Sequence, residues 1–246
     1  MTIERVYIIT GSSSGIGATL ARRIAKTGTA FVLHARRSKD ALEQVAEDIR
    51  STGAHAVTVL GDLAEKGTAT SLVEAAIEHF GSVDVVVANA GFPVFRSFEE
   101  GTAEDLEYAF KGNLFSLFEL ARAAREPLKK SEHPRLIAVG SYTAHYMRAG
   151  APLYPMSAAS KGAIEVAVRS LANNFASDKI LVNCVIPGEI NSNNRPVSDR
   201  LKEVEKQIPL GRLGRPEEVA EMIWFLTTPQ ASYITGQMFH VNGGLF

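Results

Sequence analysis

Short apolar runs rich in valine and isoleucine alternate along the chain with longer stretches whose apolar residues return every three or four positions. The runs are VYIIT (6–10), AFVLHA (30–35), AVTVLG (56–61), VDVVVANA (83–90), RLIAVGS (135–141), ILVNCVIPG (180–188) and QMFHVNGG (237–244). They are apolar at successive rather than alternate positions, which predicts strands covered on both faces. Between them a helical period holds over 15–27, 39–52, 67–80, 103–130 and 156–176. Strand followed by helix, repeated, predicts a seven-stranded parallel sheet with helices on both faces, built as one α/β domain over 1–246. No Pro/Ser-rich linker, low-complexity tract or internal repeat interrupts it. The polar segment EINSNNRPVSDRLKEVEKQI (189–208) lacks a strand signal and reads as a mobile flap rather than a boundary.

Composition changes this picture little. With 46% hydrophobic and 22% charged residues and a net charge of −1, the sequence gives no reason to expect disorder, a nucleic-acid partner or a membrane surface. The lone cysteine, Cys184, excludes an internal disulfide framework and cannot by itself build a metal site, so a reducing cytoplasm is expected. MTIERVYIIT enters an apolar run at once, without a basic leader, and no stretch of about 18 apolar residues follows; neither a signal peptide nor a membrane span is expected.

The first chemical signal is the turn Thr10-Gly11-Ser12-Ser13-Ser14-Gly15-Ile16-Gly17, set between the first strand and first helix. Gly11 allows a tight turn, Gly15 lets a pyrophosphate approach the backbone, and Gly17 lets the helix pack closely on the strand, with the helix N-terminus facing the anion. A Rossmann-type, doubly wound sheet is the fold that uses such a turn. The second strand ends HARR, with no acid to bind the adenosine ribose hydroxyls. Arg36 and Arg37 there can pair with a 2′-phosphate, which favours NADP over NAD; otherwise they are a solvated surface pair.

These residues resemble the short-chain dehydrogenases/reductases, over essentially the whole chain. TGSSSGIG matches the family's glycine turn, GDL (61–63) its adenine-contacting Asp62 and Leu63, and ANAG (88–91) its Asn-Asn-Ala-Gly with Ala88 in place of the first Asn. Asn113 in KGNLFSLF, Ser141 ending IAVGS, Lys161 in ASKGA and IPGEINS (186–192), with Ser192 where Thr is usual, follow in the family's order. The ending from IPLGRLGRPEEV onward is similar to the ketoacyl-carrier-protein reductase branch. The resemblance implies that Gly11, Ser13, Ser14, Gly15, Ile16, Gly17, Asp62, Leu63, Asn89, Ala90, Gly91, Lys161, Pro187, Gly188, Ile190 and Ser192, with Arg36 and Arg37, hold NADP(H). It also implies a homotetramer built through helices 103–130 and 156–176 and the last strand.

Hydride transfer to a carbonyl needs a proton as well, and a phenol with a pKa of about 10 becomes useful near neutrality only beside an ammonium. The resemblance gives Lys161 that part, Ser141 the substrate oxygen, and Asn113 a water linking Lys161 to solvent. Taken singly, Ser141 reads as a turn residue, Asn113 as a polar helix residue and Lys161 as a solvated cation. The acid is displaced: the family's Tyr-x-x-x-Lys would put it at 157, where the chain has Ser157, and Tyr154 lies seven before Lys161. Pro155 suits a first helical position and biases Tyr154 out of the helix, and the spacing resembles that of enoyl-carrier-protein reductases. Tyr154 is the leading acid; Ser157 in the tyrosine's place, with Tyr142, Tyr146 or His145 substituting, is the alternative. The function expected is an NADP-dependent carbonyl reductase acting on a small molecule, with enoyl reduction as a variant and a non-catalytic dinucleotide-binding regulator as the reading of another class. Phe92, Val94, His145, Tyr146 and parts of 189–208 are expected to line the substrate space.

Overall fold

The computed structural model describes residues 2–147, 153–192 and 199–246. The described residues form one seven-stranded sheet in the order β3-β2-β1-β4-β5-β6-β7, with every neighbouring pair parallel. The strands are β1 (Arg5–Ile9), β2 (Thr29–Ala35), β3 (His55–Leu60), β4 (Val85–Ala88), β5 (Arg135–Val139), β6 (Leu181–Pro187) and β7 (Met238–Val241). Helices α1 (Gly15–Ile24), α2 (Lys39–Ser51) and α8 (Pro216–Thr227) cover one face. Helices α3 (Thr68–Phe80), α5 (Ser116–Leu128) and α6 (Pro155–Phe175) cover the other. The apolar runs are continuous because both faces are packed: all seven residues of β2 are buried, and Tyr7 of β1 stacks on its register partner Phe31 with ring centroids 5.3 Å apart.

Several elements are shorter than their apolar runs. The run 83–90 pairs only over Val85–Ala88, and 237–244 only over Met238–Val241, because the following residues turn out of the sheet; Gly243 and Gly244 have φ of 65° and 85°. The stretch 103–130 is not one helix: α4 (Ala103–Phe110) and α5 flank a π-helical turn at Lys111–Phe115. Of the segment read as a flap, 193–198 lies outside the described residues, but Asp199–Glu205 forms α7 and Ile190 bridges Gly214. Helix α8, which no periodic stretch announced, starts at Pro216 with Glu218 accepting from the Arg215 amide at 2.8 Å. Its apolar residues Ile223 to Leu226 run consecutively, which blurs the period.

The strand order fixes where a ligand can bind. The chain steps outward from β1 to β3, then returns to place β4 on the other side of β1, so the loops leaving β1 and β4 diverge and open a crevice. A clasp ties the two strand ends below it. Thr10 Oγ1 accepts the amides of Asn89 and Ala90, each at 3.0 Å, while Asn89 Nδ2 donates to the carbonyls of Thr10 (2.9 Å) and Gly11 (3.1 Å).

At the opposite end of the strands, buried Arg135 anchors the start of β5. Its guanidinium donates to the Leu226 carbonyl (3.1 Å) and the Thr228 carbonyl (3.2 Å) at the C-terminal end of α8, where a cation is favoured. Burial, with repulsion from Arg5, lowers its pKa to about 10, so it stays charged at neutral pH. Arg135→Met is expected to leave these carbonyls unmet and cost about 2–4 kcal/mol, read as a lower denaturation midpoint with unchanged dinucleotide binding at the far end of the sheet.

Candidate active site

The turn after β1 has the conformation that its glycines allow: φ is +63° at Gly11 and +55° at Gly15. A side chain on Gly17 would put its Cβ 2.5 Å from the Gly11 carbonyl and 2.7 Å from Asn89 Nδ2, so the helix can lie this close to the clasp only without one. Ser14, extended at the N-cap, caps no amide with its side chain, which leaves the first-turn amides of α1 facing the crevice. Ser13 is half-buried and Ser14 exposed, whereas Ser12 is fully buried, with its hydroxyl donating to the Ile9 carbonyl at 3.0 Å.

Arg36 and Arg37 are exposed just beyond β2. Arg36 donates to the Tyr108 hydroxyl, which donates to Asp62 Oδ2 at 3.2 Å, and its guanidinium lies 6.0 Å from the Phe92 ring centroid. Asp62 Oδ1 accepts the Ala64 amide at 2.9 Å; Leu63 is buried in the core. These groups edge the crevice on the β2–β3 side, with an acidic contact at Asp62 and two cations nearby. The donor set fits a dinucleotide with an added phosphate: free helix amides, glycines where a ligand would pass and cations at the strand end.

A cavity of about 350 Å³ continues the crevice toward α6. It brings together Ile16, Asn89, Gly91, Ser141, Lys161, Pro187, Gly188, Ile190 and Ser192 of the residues expected from the sequence, along with Ser157. Ser192 comes over the glycine turn: a Cβ on Gly15 would lie 3.5 Å from Ser192 Oγ. Ala90, whose amide the clasp holds, and Tyr154, Asn113, Arg36, Arg37, Asp62 and Leu63 stand outside this lining.

Lys161 is buried nearly two turns into α6, with Nζ donating to the Val139 carbonyl at 3.0 Å. A Cβ on Gly91 would meet that nitrogen at 3.8 Å. Burial lowers the ammonium to about 8. Ser141, just past β5, accepts from the Thr143 amide (3.2 Å) and the Thr143 hydroxyl (2.9 Å), so its own hydrogen remains to be donated.

The two rival hydroxyls behave differently. Ser157 is 4% exposed and latched to the main chain: Oγ accepts the Val94 amide at 2.7 Å and donates to the Val94 carbonyl at 3.1 Å. Its only hydrogen is committed. Tyr154 lies before the helix, as Pro155 dictates, with φ −122° and ψ 79°, and its ring meets Phe95 edge-on at 5.2 Å. Phe95 lines the cavity, so Tyr154 stands one ring behind its wall.

Other expectations need correcting. Asn113, on the π-helical turn, accepts the Phe92 amide (3.1 Å) and donates to the Phe92 carbonyl (3.3 Å) and Ser160 Oγ (3.0 Å), so both its N–H groups brace protein rather than water. Phe92 lines the cavity, but Val94 is packed with Ala109 and Met156. His145 is turned toward Glu165 (2.6 Å) and stacks on Phe246 at 4.8 Å, and Tyr146 is buried with Ile208, Leu213 and Leu245. Tyr142 does line the cavity, with its hydroxyl donating to Glu189, a carboxylate that sequence reasoning passed over although it sits inside IPGEINS. Among the described residues no helix is long and apolar enough to cross a membrane.

Residues 11–246 match the family model described as enoyl-(acyl carrier protein) reductase. The 3-oxoacyl-[acyl-carrier-protein] reductase of Aggregatibacter actinomycetemcomitans is 34% identical over 99% of this chain and 100% of its own. The short-chain dehydrogenase/reductase of Serratia marcescens superposes with a TM-score of 0.91 at 29% identity, covering 100% of this chain and 99% of its own. A blue fluorescent protein from a metagenomic library, solved in complex with NADPH, gives 0.90 at 31% identity over 98% and 97%. A full-length match of this kind, on a chain whose glycine turn, serine and buried lysine converge on one crevice, means that the protein belongs to the short-chain dehydrogenase/reductase family of oxidoreductases.

Proposed function

We propose that the chain is an NADPH-dependent carbonyl reductase, with 3-oxoacyl thioesters as the first substrate class to test. The observation that carries this is the shared cavity of Ser141, with a hydrogen free to donate, and Lys161, an ammonium held under Gly91. Arg36 and Arg37 support the 2′-phosphorylated cofactor, as does the NADPH bound by the metagenomic neighbour. Bound NADPH supplies the hydride. Ser141 holds the substrate oxygen and stabilises its developing charge. Tyr154, the one hydroxyl of the two rivals that is not latched, delivers the proton by turning past Phe95 into the cavity. Asn113 braces Phe92 and Ser160 and so holds the floor on which Lys161 rests. The Tyr-x6-Lys spacing and the description of the matching family model favour enoyl thioesters as the second substrate class.

Steady-state NADPH oxidation over 3-oxoacyl thioesters, simple ketones and enoyl thioesters tests this. Tyr154→Phe is expected to lower kcat by about 100-fold or more. Ser157→Ala keeps most of kcat but loses about 1–3 kcal/mol of stability with its latch. The reverse order moves the acid to Ser157, and NADPH binding without oxidation of any substrate makes the chain a dinucleotide-binding regulator. Reduction requires the charged lysine, which exists below its pKa; kcat/KM is therefore expected to fall as pH rises through about 8, and Lys161→Met removes that limb.

A homotetramer accounts for the exposed apolar residues Leu106 (40%), Phe115 (53%), Phe118 (41%) and Val166 (67%) on the helices named for it. Light scattering is expected to give four chains, and Phe115→Glu with Phe118→Glu a smaller species. A cytoplasmic setting suits a chain whose one cysteine, Cys184, is buried.

A further inference from the structure

β2 carries one polar side chain in its otherwise apolar second half: His34, 2% exposed. A buried imidazole needs partners at both nitrogens. Nδ1 accepts the amide hydrogen of Gly11 at 3.3 Å, and Nε2 faces the Gly61 carbonyl at 2.9 Å. A carbonyl only accepts, so Nε2 carries the hydrogen, Nδ1 is bare, and the ring is neutral. The main chain repeats the tie: the His34 amide donates to Ser12 Oγ (2.9 Å) and the Ser12 amide to the His34 carbonyl (2.8 Å).

Gly11 opens the turn that faces the pyrophosphate, and Gly61 opens the Asp62-Leu63 loop that edges the adenosine side. The His34 ring lies between them and bonds to both. Burial holds it below the ordinary histidine pKa against the pull of Asp62, so the neutral ring is the resident form at neutral pH. The ring does not line the catalytic cavity.

We propose that His34 is a positioning residue for the cofactor: its neutral ring sets the separation of the Gly11 turn and the Gly61-Asp62-Leu63 loop, and through it the affinity for the adenosine half of the dinucleotide. This rests on the NADPH reading above. Three variants divide the two bonds. His34→Phe keeps the ring volume and loses both; His34→Asn places an oxygen where Nδ1 sits and keeps the Gly11 bond; His34→Gln places a nitrogen near Nε2 and keeps the Gly61 bond.

Kd is measured by fluorescence titration for NADPH and for adenosine 2′,5′-bisphosphate, which carries the adenosine half alone, with the denaturation midpoint as the check of folding. His34→Phe is expected to raise both Kd values about tenfold, some 1.4 kcal/mol, and to raise KM for NADPH far more than it lowers kcat. His34→Asn and His34→Gln are expected to fall between it and the wild type. A purely structural residue would lower the midpoint and leave Kd of the folded protein unchanged; that result in all three variants overturns the proposal. Should His34→Phe fail to fold, wild-type Kd values in both His34→Asn and His34→Gln overturn it equally. If wild-type protein binds NADPH but oxidises none with any substrate, the reductase reading fails while the Kd ratios still decide the role of His34.

Discussion

The clasp between Thr10 and Asn89 is the constraint on which the rest of the site depends. Two strands that part at a switch point would leave unpaired amides and carbonyls at the bottom of the crevice, in a place largely shut off from water. Two short polar side chains meet that need by bonding the main chain of the opposite strand, and each does so more than once. The bonds bring backbone against backbone, with a virtual Cβ on Gly11 only 2.9 Å from Ala90 Cα. The crevice floor is therefore main chain drawn together by two short side chains, and α1 can start close enough to aim its amides into it. The serine and lysine are then placed beside β4's neighbour β5: Ser141 just past its end, and Lys161 on α6, with its Nζ bonded to the Val139 carbonyl of that strand.

The architecture was legible because a doubly covered parallel sheet writes itself as consecutive apolar residues, and each of the seven runs overlaps one strand. Its boundaries were not, since the residues that end a strand here are decided by where the loop must go. Asn89 is a polar residue inside the run 83–90; in the fold it lies past the end of β4 and bonds Thr10. Helix α8 shows no clear period in the sequence, because a helix packed against both α1 and the sheet carries too many apolar residues to show a stripe.

Of the site, the order of motifs disclosed the glycine turn, Ser141 and Lys161, which depend on position along strands and helices. What it could not disclose were bonds to main-chain atoms far away in sequence. Ser157 and Tyr154 differ chiefly because an amide and a carbonyl of Val94 engage the first and leave the second; no residue type at 94 signals this. His145 and Tyr146, expected at the substrate space, are held elsewhere by Glu165 and by Ile208, Leu213 and Leu245. His34 did carry a signal, a lone imidazole inside a buried strand, and only its partners were hidden.

The π-helical turn at Lys111–Phe115 has a consequence for how the long helical stretch is written. Buried Ala109, Asn113, Leu117 and Ala121 follow one another at intervals of four, and in an unbroken α-helix each such step advances about 40° around the axis. A turn with an additional residue absorbs part of that drift, so the seam stays turned inward on both sides of Asn113, Ala109 against Val94 and Met156 and Leu117 and Ala121 in the core beneath the sheet. The irregularity is thus a phase corrector: it lets two amphipathic helices of ordinary pitch share one contact line, at the place where a carboxamide has to point inward between them.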